Sequence, residues 1–147
     1  MKKLLMATAA TALMAGSAFA GGHAKEVKIG IILGFTGPIE SLTPDMAAGA
    51  ELAMSEVNDA GGILGGNVVS VRGDSTCVDA AAASAAAERL ITADGVSAIM
   101  GADCSGVTTA ILENVALANG VVMVSPSATS PARSSAARLP IASRSRS

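Results

Sequence analysis

The amino-acid sequence predicts an α/β fold in which a parallel sheet carries helices on both faces. Four short apolar runs rich in Val and Ile have the length of buried strands. The segments between them carry apolar residues at helical spacing, and each ends in glycine or Asn-Gly, as helices commonly do. This alternation indicates βαβ units with right-handed crossovers, and 147 residues suffice for one domain of ordinary size.

The first βα unit is predicted from residue 27 to about residue 60. Residues 27–33 form a β-branched run that is too short for a helix and apolar enough for a buried strand. Thr43 then has the character of a helix N-cap, with Pro44 at the first helical position. Gly61 and Gly62 end this helix.

The second unit has a strand at residues 67–71 and an alanine-rich helix. Asp79 is predicted to cap this helix, which runs to about Thr92 and is ended by Gly95. Its inward face is expected to contain apolar residues at helical spacing, namely Ala83, Ala87, Leu90 and Ile91.

The third unit repeats the pattern, with a strand at residues 96–100 and a helix at about residues 106–118. Asn119 and Gly120 end the helix, and a fourth strand follows at residues 121–124. Ligands of open parallel sheets bind beyond the carboxyl ends of the strands, so the loops at those ends are the candidate site.

The charge of the chain is distributed unevenly. Residues 24–130 contain all 12 acidic residues but, of the ten lysines and arginines, only Lys25, Lys28, Arg72 and Arg89. Phosphate binding needs clustered basic side chains, so this acidic body is not expected to bind nucleic acid.

The first 20 residues have the three parts of a secretory signal peptide. A positive start at Lys2 and Lys3 precedes an uncharged run at residues 4–15, and small residues stand at Ala18 and Ala20. The apolar run is shorter than the ~20 residues needed to span a bilayer. Export to the periplasm with a cut after Ala20 is therefore expected, and no cysteine follows the cut to carry a lipid anchor.

An exported chain with two cysteines favours a disulfide between them. Cys77 and Cys104 are 27 positions apart, with no second cysteine pair and no histidine nearby, so no metal site is expected. Both cysteines follow predicted strands, in loops that also contain several hydroxyl groups.

Ser105 stands where the third helix is expected to begin. Its hydroxyl and the free N–H groups of a helix start form an anion site without a basic side chain. The hydroxyl of Thr129 and the carbonyl of Ser127 offer acceptors that suit an ammonium group, and a carboxylate beside an ammonium describes an amino acid. The alternative is that Ser105 is merely an N-cap and that Ser127 and Thr129 merely form a turn.

Several motifs together resemble the N-terminal lobe of the periplasmic leucine/isoleucine/valine-binding proteins. The similarity covers about residues 25–131 and rests on short segments at characteristic separations: Thr36-Gly37-Pro38, Glu56-Val57-Asn58-Asp59-Ala60-Gly61-Gly62, Asp103-Cys104-Ser105 and Ser125-Pro126-Ser127-Ala128-Thr129. The resemblance implies a type I periplasmic-binding fold, of which residues 21–131 are an incomplete N-terminal lobe.

The resemblance also implies a function and a set of site residues. It implies the substrate-binding component of an amino-acid ABC transporter, with an inner-membrane permease as partner and no cofactor. Ser105 is expected to hold the ligand carboxylate, and the Ser127 backbone and Thr129 hydroxyl the ammonium group. Leu42 lies where this family often has an aromatic residue. The resemblance further implies that Cys77 is paired with Cys104.

The end of the chain departs from this family. Its members are more than twice as long, whereas residues 132–147 are rich in Arg and Ser and have no apolar period. A basic arm for nucleic acid is one interpretation. We expect instead a disordered, out-of-frame end, and a single lobe that binds amino acids weakly or not at all by itself.

Two other functions are weighed against the binding protein. A secreted hydrolase would use Cys104 as its nucleophile on a strand-to-helix turn. It would need a base, and the one histidine of the chain, His23, is the third residue after the predicted cut. A nucleotide site is disfavoured because Gly30, Gly34 and Gly37 do not have the G-x-G-x-x-G spacing. No catalytic residues are therefore expected.

Overall fold

Four parallel strands form one sheet in the computed structural model, which describes residues 26–130. They are β1 (Val27–Leu33), β2 (Val68–Asp74), β3 (Ala98–Gly101) and β4 (Val122–Val124). Their spatial order is β2-β1-β3-β4, so the chain moves first to one side of β1 and then to the other.

The strands are joined by helical segments. These are α1 (Thr43–Asp59), α2 (Ala80–Thr92) and α3 (Ser105–Ile111), the last of which continues through a π-helical turn (Leu112–Ala116) into the short α4 (Leu117–Asn119). The predicted third helix is thus interrupted by a π-helical turn, which the sequence analysis did not predict.

The two faces of the sheet are covered by different helices. Ile31 and Leu33 of β1 pack against α1, whose Ala47 is fully buried. The opposite face packs against α2, α3 and the π-helical turn, through a cluster of apolar side chains: Ile32, Ala83, Ala87, Leu90, Val96, Ile99, Ala102, Val107, Ile111 and Val115. The predicted α/β class, with a parallel sheet and helices on both faces, is confirmed.

The predicted N-cap of α2 is confirmed, and the predicted N-cap of α1 is wrong. The Asp79 carboxylate accepts hydrogen bonds from the N–H groups of Ala81 and Ala82, both at 2.9 Å, and so caps α2 as expected. Thr43 is not the N-cap of α1, because it lies within the helix and Leu42 occupies the capping position. The buried Thr43 hydroxyl instead donates to the carbonyl oxygens of Gly34 and Glu40.

Asn58 closes part of the outer edge of the sheet. Its amide nitrogen donates to the carbonyl oxygen of Val68 at 2.8 Å, and its amide oxygen accepts from the Val68 N–H at 2.6 Å. Both backbone groups of Val68 point away from β1, so the side chain of Asn58 occupies positions that a further strand would use.

Two predicted segments lie outside the described residues: the signal peptide at 1–20 and the Arg/Ser-rich tail at 132–147. Within residues 26–130, no helix has the length and apolar character needed to cross a membrane.

Candidate functional site

Four loops meet at the carboxyl ends of the strands. We call them loop 1 (34–42), loop 2 (75–79), loop 3 (102–104) and loop 4 (125–130), and together the rim. Loops 1 and 3 leave neighbouring strands toward opposite faces of the sheet, because β1 is followed by α1 and β3 by α3. This is the switch point at which open α/β sheets place their ligands.

A disulfide joins loop 2 to loop 3, as predicted. The sulfur atoms of Cys77 and Cys104 are 2.04 Å apart and the Cα atoms 5.2 Å apart. Cys77 and the preceding Thr76 have φ values of 70° and 56°, a left-handed conformation that a β-branched threonine adopts only under constraint. The hypothesis of a nucleophile at Cys104 is not supported, because its sulfur is bonded to Cys77.

Ser105 joins loop 3 to loop 4. Its hydroxyl oxygen accepts hydrogen bonds from the N–H groups of Thr129 and Ser130, at 3.2 and 3.3 Å. Ser105 is not an N-cap, since Cys104 occupies that position and Ser105 is the first residue of α3. Because Ser105 Oγ serves both N–H groups as an acceptor, its own proton remains available to donate.

Loop 4 is fixed against loop 3 by two further serines. The Ser125 hydroxyl donates to the Ala102 carbonyl oxygen at 2.5 Å and accepts from the Ala128 N–H at 2.8 Å. The Ser127 hydroxyl donates to the carbonyl oxygen of Asp103 at 2.9 Å. The side chain of Ser127 is therefore bonded within the rim, whereas Thr129 is exposed and its N–H donates to Ser105 Oγ.

Leu42 lies at the end of loop 1, and its side chain is 60% exposed. Its backbone N–H donates to Ile39 and its carbonyl accepts from Met46, both within loop 1 and α1. Hydrogen bonds thus bring Ser105, Ser127 and Thr129 together but do not include Leu42.

Thr36 of loop 1 is hydrogen-bonded to Asp74, the last residue of β2, which is also bonded to Thr76 of loop 2. The sequence analysis did not identify these contacts. The Asp74 carboxylate accepts from the Thr36 hydroxyl at 2.6 Å, from the Thr36 N–H at 3.3 Å and from the Thr76 N–H at 2.8 Å. Gly37 has φ +98°, and a Cβ there would lie 2.5 Å from the Thr76 carbonyl oxygen, so only glycine permits this approach. The feature of the sequence that could have indicated this contact is an acidic residue, Asp74, at the end of the second strand.

The pKa of Asp74 is lowered by this arrangement. Burial alone would raise the pKa of the carboxyl, but hydrogen bonds from the Thr36 hydroxyl and from the Thr76 and Thr36 N–H groups bring it below its ordinary value. A lowered pKa in the folded state stabilises the fold above the unfolded pKa of about 4, and this contribution is lost as the pH falls through the folded value.

We expect Asp74→Asn to lower the free energy of unfolding at pH 7 and to weaken its decline in acid. Urea unfolding at a series of pH values measures both effects. Thr36→Val removes one donor to the same carboxylate and should move both quantities in the same direction. Identical acid profiles for the wild type and Asp74→Asn would contradict this prediction.

Among residues 26–130, no three side chains of His, Cys, Asp or Glu are grouped so that they could hold a metal ion.

Comparison with known sequences gives consistent matches. Residues 26–140 match the family described as periplasmic binding protein. Leu/Ile/Val-binding protein homolog 7 of Brucella melitensis is 40% identical over 106 residues, which cover 72% of this chain and 25% of the relative. The Leu/Ile/Val-binding protein BraC3 of Rhizobium johnstonii is 34% identical over 128 residues, which cover 87% of this chain and 34% of the relative. The chain thus spans about a quarter to a third of the length of these curated relatives.

Solved structures agree with the sequence matches. The branched-chain amino acid transporter substrate binding protein LivJ of Streptococcus pneumoniae, in complex with isoleucine, has a TM-score of 0.67 and 36% identity, covering 73% of this chain and 30% of LivJ. An ABC transporter substrate-binding protein of Desulfitobacterium hafniense, in complex with Leu, has a TM-score of 0.62 and 30% identity, covering 73% of this chain and 30% of that protein. The sheet and helices of residues 26–130 have the fold of part of these proteins.

Proposed function

This chain belongs to the periplasmic binding protein family that includes the Leu/Ile/Val-binding proteins, and from this membership we propose that it binds an amino acid, of the branched-chain type or a related one, for an ABC transporter. Its role would be to capture the amino acid outside the cytoplasm and deliver it to a permease in the inner membrane. No catalysis is part of this proposal.

The observation that supports the proposal most directly is the hydrogen bonding of the Ser105 hydroxyl. Its oxygen is fixed from loop 4 by two N–H donors, so its proton is directed to a partner outside these bonds. The N–H groups in the first turn of α3 have no acceptor within the helix. A carboxylate in front of Ser105 would receive hydrogen bonds from both sources without a basic side chain.

An ammonium group beside that carboxylate would meet acceptors on loop 4. The carbonyl of Ser127 and the hydroxyl of Thr129 belong to the segment that Ser105 holds in place. The two solved relatives are complexes with isoleucine and with Leu, which are ligands of this type. Leu42, exposed on loop 1, is the residue that we propose to contact the ligand side chain.

The chain would supply one wall of the binding cleft. Small ligands are usually bound in clefts that bury most of their surface, often between two domains. Because the chain spans 25% of its Brucella relative, residues 26–130 alone should bind amino acids weakly. We further propose that residues 1–20 direct export and are removed after Ala20, which agrees with the disulfide.

A chimera tests this proposal. Residues 26–130 replace the matching segment of the Brucella melitensis homolog, which supplies the remaining part of the cleft. Calorimetric titration with L-leucine, L-isoleucine and L-valine should give saturable binding. Leucinamide lacks the carboxylate and 4-methylpentanoate lacks the ammonium group, so both should bind at least about tenfold more weakly, the factor that 1.4 kcal/mol represents. The proposal fails if the parent protein binds one of the amino acids and the folded chimera binds none.

A further inference from the structure

The carboxylate of Asp103 is buried at the point where the rim loops meet. The residue is 4% exposed. One carboxylate oxygen, Oδ2, accepts from the Gly34 N–H at 2.9 Å. The other, Oδ1, accepts from the Ser75 hydroxyl at 3.3 Å and from the Cys104 N–H at 3.0 Å. A single side chain is therefore bonded to loops 1, 2 and 3.

Loop 4 is bonded to the same residue through its backbone. The carbonyl oxygen of Asp103 accepts from the Ser127 hydroxyl at 2.9 Å. The next residue, Cys104, carries the disulfide to loop 2, and the one after it is Ser105. Asp103 thus contacts all four loops of the rim and lies two residues from the group that we propose to bind the ligand carboxylate.

This carboxylate has no basic partner in the described part of the chain. Within residues 26–130 the ion pairs are Arg72 with Glu51 and Arg89 with Asp94. Burying a carboxylate without a cation destabilises a fold unless hydrogen bonds satisfy its oxygens. The three donors from the loops supply that compensation, so the position of the carboxylate and the positions of the loops depend on one another.

The atoms of three rim loops are closely packed around Gly34. A Cβ on Gly34 would lie 3.2 Å from Cys77 Cβ and 3.4 Å from Asp103 Oδ2. Loops 1, 2 and 3 are therefore in contact at this point, and the carboxylate lies between them. Its depth also keeps it from contacting a ligand on the surface of the rim.

We propose that Asp103 is a positioning residue of the amino-acid site, which holds the rim loops in the arrangement that presents Ser105 and Thr129 to the ligand. This inference rests on the proposed function. An asparagine has one acceptor oxygen and one donor nitrogen, so it leaves the N–H of either Gly34 or Cys104 facing a donor. The substitution removes no group that touches the ligand, and its effect on binding would be transmitted through the loops.

Amide exchange of the ¹⁵N-labelled full chain and leucine titration of the chimera test the proposal. In Asp103→Asn, the N–H groups of Thr129 and Ser130 should exchange at least about tenfold faster than in the wild type, relative to a core amide of β1. These groups bond to Ser105 and not to Asp103, so their exchange reports the position of loop 4. In the chimera that carries residues 26–130, Asp103→Asn should raise the Kd for L-leucine by at least about tenfold.

Asn58→Ala is the matched control. It removes two hydrogen bonds to the backbone of Val68 at the opposite end of the sheet. This variant should accelerate exchange at Val68 and lower stability, while the Thr129 and Ser130 amides and the apparent Kd for leucine stay as in the wild type. If Asp103→Asn does not fold, Ser75→Ala is the second variant, because it removes one of the three hydrogen-bond donors to the Asp103 carboxylate. It should accelerate exchange at Thr129 and Ser130 and raise the Kd for leucine, both by less than Asp103→Asn.

The outcomes separate the two proposals. Unchanged exchange at Thr129 and Ser130 in a folded Asp103→Asn or Ser75→Ala variant would overturn the positioning role. A folded chimera that shows no leucine binding, while its parent binds leucine, would overturn the proposed function of this chain, and the exchange rates of the full chain would still decide for or against the positioning role.

Discussion

Reduction of the bond between Cys77 and Cys104 should lower the free energy of unfolding by about 3.5 kcal/mol, because a loop of 27 residues is released in the unfolded chain. For a domain of this size the melting temperature should fall by more than about 10 °C. Both Thr76 and Cys77 have left-handed backbone conformations that the bond helps to hold, so part of loop 2 should relax when it is broken.

Thermal unfolding with and without a phosphine reductant measures this effect. A Cys77→Ser/Cys104→Ser double variant should melt at the temperature of the reduced wild type and should not respond to the reductant. A melting temperature of the wild type that is independent of the reductant, with both thiols shown to be free, would contradict the prediction.

The substitution Ser105→Ala should weaken amino-acid binding by about one to two decades in the chimera that carries residues 26–130. A hydrogen bond to a charged group contributes about 1.5–3 kcal/mol, and each decade of affinity corresponds to 1.4 kcal/mol. The stability of the unliganded protein should fall by less, about 1 kcal/mol, because the N–H groups that lose Ser105 Oγ belong to partly exposed residues and can turn to water.

Two variants make the measurement specific. Ser84→Ala removes a serine hydroxyl that donates within α2, to the carbonyl oxygen of Ala80, and that bonds to none of the four rim loops, so it should leave affinity unchanged. Ser105→Thr keeps the hydroxyl and should recover part of the lost affinity. If Ser105→Ala lowers the melting temperature and leaves affinity as it was, Ser105 has a structural role alone.

The features that the sequence predicted correctly depend on residues near one another in the chain. Residues 27–33 were predicted as β1 with both ends correct, because the run rich in Val and Ile is bounded by Glu26 on one side and by Gly34 on the other. The cap at Asp79 involves N–H groups two and three residues away. The pairing of Cys77 with Cys104 followed from export and from a count of two cysteines.

The features that it missed depend on contacts between distant segments. β2 continues to Asp74, three residues beyond its predicted end, because β1 pairs with residues that are not apolar. The hydroxyl oxygen of Ser105 accepts hydrogen bonds from loop 4, 24 and 25 positions away. Asp103 and Gly34 are 69 positions apart. The one feature of the sequence that could have indicated a role for Asp103 is its place directly after an apolar strand and beside a cysteine.

The amide of Asn58 also has a consequence for the side on which the sheet is extended. The hydrogen bonds of Asn58 to Val68 close part of the outer edge of β2. β3 lies on the free side of β1, and β4 lies beside β3. Both described strands that follow β2 in the chain therefore lie on the side away from Asn58, so β1, β3 and β4 follow one another in the sheet in the order of the sequence, with β2 on the other side of β1.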